Sequence, residues 1–136
     1  MSINPKMYYQ QINDMNIDGL AIDPSSLSEA MSLLVRLKRD MRMLQQIKYN
    51  IRMDIRKIRR EYLAKLDSLK DPSKAKGIFD KKWDDTEIRK GKKILLAERD
   101  DVISPYEGLE RLIDYYLDEI ESSIAFLNEY IHNQGE

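Results

Sequence analysis

Cysteine is absent from the chain, which excludes disulfides, thiolate nucleophiles and cysteine-held metals and leaves a reducing, intracellular compartment open. Histidine occurs once, as His132, so neither a Ser/His/Asp set nor a paired-imidazole metal site can be assembled. A glycine-rich phosphate loop is also missing, and we expect no enzyme and no cofactor. Apolar runs stay as short as Leu33-Leu34-Val35 and Ile94-Leu95-Leu96-Ala97, too short to span a bilayer, and the first residues lack the basic-then-apolar order of a secretory signal. The expectation is a cytoplasmic protein with no membrane span. Glycine and proline are scarce, and neither occurs between Leu27 and Asp71, so nothing there interrupts a helix.

What fills that uninterrupted stretch is an apolar seam. On a 3,4 spacing from Leu27 to Leu69, eleven of thirteen positions are apolar, including Leu34, Leu37, Met41, Leu44, Ile51, Ile55, Ile58 and Tyr62. A stripe of that period belongs to one face of a long helix, which water cannot cover and other helices can. The two exceptions, Lys48 and Lys65, can lay their methylenes along the stripe and keep the ammonium wet. Resumed from Ile88 to Tyr130, the spacing is apolar at ten of thirteen positions. It is cleanest at Leu109, Ile113, Tyr116, Ile120 and Leu127, and weakest near Gly91.

Punctuation divides the chain. Residues 1–26 read as an N-terminal arm or cap, with a short helical turn near Met7 to Met15 and a break at Gly19. Residues 27–136 read as a helical hairpin. Its first helix, 27–70, has two overlapping start signals, Asp23-Pro24 and the capping box from Ser26 to Glu29. About 44 helical residues would extend roughly 65 Å. Asp71-Pro72-Ser73 stops that helix, residues 71–84 form the connector, and Asp84 with the acids after it opens the second arm. Ser104-Pro105-Tyr106-Glu107 repeats a start signal, so the second arm is expected to be kinked or broken there, as 85–103 and 105–132.

Charge is split between the arms. Residues 36–93 hold twenty bases and nine acids, whereas residues 94–136 hold two bases and eleven acids. A fold about residue 78 would set Arg42 opposite Asp114, Lys38 and Arg39 opposite Asp118, and Arg52 and Arg56 opposite Glu98, Asp100 and Asp101. Such pairs choose antiparallel sense more than they add stability. The fold expected is therefore all-α, a long antiparallel coiled-coil-like hairpin. Met31, Leu33, Val35, Ile47, Leu63 and Leu66 are left without evident cover, which predicts a homodimer that completes a four-helix bundle.

Three groups of residues could carry function. Asp14-Met15-Asn16-Ile17-Asp18-Gly19 opens like a calcium loop, with Asp14, Asn16 and Asp18 as oxygen donors, but its twelfth position is Ser25 rather than a bidentate glutamate. An Asx-rich turn explains the same letters. At the connector, Phe79, Lys81, Lys82 and Trp83 interleave bases with aromatics, a pattern suited to a partner contact or to phosphates and a stacked base. The seam residues themselves are the candidates for assembly.

Long paired arms and overall size resemble hairpin chaperones of the prefoldin type. The connector lacks the alternating apolar runs needed for that family's strands, so no residue role carries over. The sequence reading is an intracellular structural or adaptor protein that binds itself and another protein through its helices. A nucleic-acid-binding arm and a small helical chaperone are the alternatives.

Overall fold

The computed structural model describes residues 4–70 and 84–134. Regular structure among them is entirely helical, in three helices: α1 (Pro5–Asp14), α2 (Leu27–Lys70) and α3 (Asp85–Gln134). None of the three is long and apolar enough to cross a membrane. Phe79, Lys81, Lys82 and Trp83 lie outside the described residues.

Each helix begins where a short polar side chain can take an orphan amide. Asn4 Oδ1 accepts from the Met7 N–H at 3.1 Å, with Pro5 in the first turn. Ser26 Oγ accepts from the Glu29 N–H at 3.1 Å, and Asp84 Oδ1 accepts from the Glu87 N–H at 2.8 Å. These bonds satisfy donors that the first helical turn leaves free. The reciprocal half of the box at Ser26 is displaced by one residue. Glu29 reaches past Ser26 and accepts from both the hydroxyl and the N–H of Ser25. That hydroxyl, followed by the backbone bond, holds the Glu29 carboxyl below its usual range.

Of the two outcomes expected at Pro105, a kink or a break, the break does not occur. A helix start at Ser104 would separate 85–103 from 105–132, yet α3 runs through the proline without a break. An interior proline costs about 3 kcal/mol because it removes one helical donor and crowds the preceding turn. Here Pro105 and Asp101, whose carbonyl loses that donor, are both exposed, so water can take the vacant acceptor. Ile103 and Tyr106, both buried, anchor the turns on either side.

The chain divides into two compact units. The first comprises Met1–Asn50 and Gly108–Glu136, and the second Ile51–Glu107. Within the first, Lys48 Nζ donates to Asp114 Oδ1, while Leu37, three turns earlier on α2, shares a cavity wall with Ile120, later on α3. The two helix segments of this unit therefore run antiparallel. Leu37, Leu44, Ile113, Ile120 and Leu127 fill its centre at 2% exposure or less. Leu109 is buried with them, while Leu34, Met41 and Tyr116 are half-buried. The arm belongs to this core as well, through buried Tyr8, Ile12 and Met15.

The register within the first unit is close to the expected one where Leu37 and Ile120 line one cavity, although Lys48 rather than Arg42 reaches Asp114. A lysine side chain is long enough to reach a carboxylate that is not directly opposite its own Cα. Ile47 is a second correction: it is buried at 8% exposure, whereas Met31 and Val35 stay in water.

In the second unit, Ile51, Ile55 and Tyr62 of α2 and Ile103 and Tyr106 of α3 are buried, and Ile58 is half-buried. The seam slips by one residue here, with Ile103 inside and Val102, at 42% exposure, outside. Adjacent β-branched residues give a periodic pattern no way to choose between them. Lys65 is exposed with its ammonium 4.4 Å from the centre of the Tyr62 ring, a cation–π contact along the stripe. Burial, and then the charge of Asp54, raises the Tyr106 phenol above its ordinary value.

Because Leu44 is fully enclosed and Met31 is 54% exposed, truncation should separate them sharply. Leu44→Ala is expected to lower unfolding free energy by about 2–5 kcal/mol and Met31→Ala by roughly 0.5 kcal/mol or less. Urea melts followed by circular dichroism check this, and similar losses at both positions would contradict the burial pattern.

Candidate functional site

The first four turns of α2 present two chemically different faces. At 100° per residue, Ala30, Leu34 and Leu37 turn toward the core; Leu27, the first seam position, starts a line at i, i+4 spacing that leads off that face through Met31 to Val35. Those last three are 43%, 54% and 69% exposed. With Ser28, Ser32, Arg36 and Arg39 they line a shallow depression of about 760 Å³. Scattered apolar residues on a surface are ordinary, but three in consecutive turns on one face form a contiguous strip.

Arg36 links this strip to the interior. Its Nη2 donates to the Met15 carbonyl at 3.4 Å, and its Nε lies 3.7 Å from Asp40 Oδ2. Arg39 Nε approaches the other carboxylate oxygen at 3.9 Å. Asp40 is 2% exposed, and neither its Oδ2 nor Arg36 Nε has a hydrogen-bond partner. Asp40 Oδ2 is therefore held by charge rather than by an aligned hydrogen bond. Sequence reasoning missed it, because an acid four residues after an arginine in a basic helix looks like an ordinary surface pair.

A second anchor ties the arm to α3. The Tyr116 hydroxyl donates to Asp18 Oδ2 at 2.7 Å, across 98 residues of sequence. That bond, then burial, then the Asp18 charge and the neighbouring Tyr9 and Tyr115, push the Tyr116 phenol up to about 12. Tyr115 meets Tyr116 edge-on, with ring centres 5.7 Å apart. The adjoining cavity of about 160 Å³ is lined by Ile17, Leu20, Ile22, Leu37 and Ile120 with a polar rim. Metabolite pockets are roughly 300–1,000 Å³, so this one has room for water rather than for a substrate.

The turn that carries Asp18 was the calcium candidate. Asn16 is left-handed, with φ 52°, and a Cβ on Gly19 would stand 2.5 Å from Asn16 Oδ1. A side chain at this position would have to displace the Asn16 amide. With Asp18 engaged by Tyr116, the segment works as a folded turn that docks the arm. Among the described residues no group of three or more His, Cys, Asp or Glu side chains is placed to hold a metal ion. The seam candidates Leu37, Leu44, Ile51, Ile55, Tyr62, Leu109, Ile113, Ile120 and Leu127 are buried by their own chain, which leaves the outer faces to meet anything else.

Two outcomes follow from these anchors. Removing Arg36 strands a buried carboxylate, so Arg36→Met should cost on the order of 3 kcal/mol in a denaturant melt, against less than about 1 for the more exposed Arg39→Met. The raised Tyr116 phenol favours the folded form while it is protonated. Its contribution is complete below pH 10, the ordinary phenol value, and is lost as pH climbs through about 12. Thermal melts across that window should fall more steeply for the wild type than for Tyr116→Phe; parallel curves would refute the tie. No protein-family model, curated protein or solved structure matches this chain, so its functional reading rests on these surfaces.

Proposed function

We propose that the chain is a helical protein-binding module, an adaptor or structural component that engages other chains, copies of itself included, by helix-to-helix packing on the outer face of α2. The observation that carries this reading is the strip of Leu27, Met31 and Val35, exposed at 43–69% and flanked by Arg36 and Arg39. A helix turning apolar residues outward through consecutive turns is suited to another helix laid along it.

Magnitudes say what such a partner must bring. Fully covering an exposed Leu, Met or Val contributes about 1.5–3 kcal/mol, and these three begin partly covered. Association costs roughly 4–15 kcal/mol in lost freedom. The strip alone therefore gives weak binding, and a stable complex needs large anchors and matching charges from the other side.

A photo-reactive residue placed at Val35, and separately at exposed Lys57 as a control, tests the module in producing cells. Discrete cross-linked species at Val35, lost with Met31→Glu and much weaker at Lys57, are the expected result. Absence of species specific to Val35 would overturn the reading.

A further inference from the structure

We infer that the occupant of the α2 strip is a second copy of this chain, seated by the acidic, aromatic outer face of its α3. This rests on the protein-binding reading above and names the partner. The face in question carries Tyr115 and Phe126, 58% and 50% exposed, with Ser122 between them and Asp118 and Glu129 alongside, all exposed. Tyr115, Ser122, Phe126 and Glu129 recur at helical spacing, so they share one side of α3.

The two surfaces match in length and in sign. From Leu27 to Arg39 the strip covers roughly 18 Å of helix, and from Tyr115 to Glu129 the other face covers about 21 Å. One is apolar with an arginine border, and the other is aromatic with a carboxylate border. Aromatic side chains on a partner are the large anchors that a shallow apolar strip lacks. The net charge of −1 puts no general repulsion between copies, so opposite local charges can steer them together.

The same chain cannot satisfy this match by itself. Inside the first unit, α2 and α3 meet through Leu37 and Ile120, which places Val35 and Phe126 on faces turned away from that contact. An ion pair between these helices joins Lys48 to Asp114. Among the described residues, Arg39 is paired with Asp40 of its own helix. The Arg39 side chain, beside Asp40 yet 62% exposed, and exposed Asp118 and Glu129 remain accessible to another molecule.

Sedimentation equilibrium of the purified full chain tests the inference. The wild type should exceed monomer mass at low salt and shift toward monomer as salt rises. Val35→Glu and Phe126→Glu should each be monomeric at the same concentration with unchanged helicity. A charge exchange is more discriminating: Arg39→Glu alone and Asp118→Lys/Glu129→Lys alone should be monomeric, and an equimolar mixture should regain the wild-type mass. A wild type that stays monomeric, association that survives Val35→Glu and Phe126→Glu, or a mixture that fails to recover would overturn it. If Val35 cross-links to other proteins persist in cells while the pure chain is monomeric, the second copy is wrong and the protein-binding reading stands.

Discussion

Every feature of this molecule depends on hiding one apolar stripe per long helix. Leu37 and Leu44 of α2 and Ile113, Ile120 and Leu127 of α3 are removed from water almost completely in the first unit. Isolated helices are marginal in water, and their stability in proteins comes mainly from packing an amphipathic face. Polar contacts in the first unit are few and specific by comparison. Lys48 with Asp114, Arg36 with Met15 and Asp40, and Tyr116 with Asp18 choose which face and which register are used.

The N-terminal arm is the part that turns paired stripes into a three-element core. Its helix sends Tyr8, Ile12 and Met15 inward. The turn after it is shaped by left-handed Asn16 against Gly19. Two side chains from elsewhere then grip it: Arg36 takes the carbonyl at the end of α1, and Tyr116 takes the carboxylate beyond the turn. Arg36 thus serves twice, as a clamp inside the unit and as the border of the exposed strip.

Local features were legible in the sequence, and long-range ones were not. Ser26 and Asp84 announce the starts of α2 and α3 because a cap is a contact over three residues. The seam was legible because burial imposes its own period on the letters. The partner of Asp114 was not, because a long basic side chain can reach past the residue directly opposite. The choice of Ile103 over Val102 was not, because both residues are apolar. At the candidate site, exposure of Met31 and Val35 followed from their lying off the seam. Burial of Asp40 and its grip by Arg36 had no local signature, nor did the bond from Tyr116 to Asp18. Contacts between residues far apart in sequence leave no periodic trace.

Pro105 gives the 50-residue α3 an internal partition. A helix grows and frays by adding or losing one amide bond per residue, and at this position there is no bond to exchange. Unwinding that begins near Asp85 loses no amide bond at Pro105, so that step costs less than its neighbours. Proline suits the first turn of a helix, so the distal turns can remain a complete helix starting at Ser104-Pro105 when the proximal ones, whose residues are largely exposed, are open.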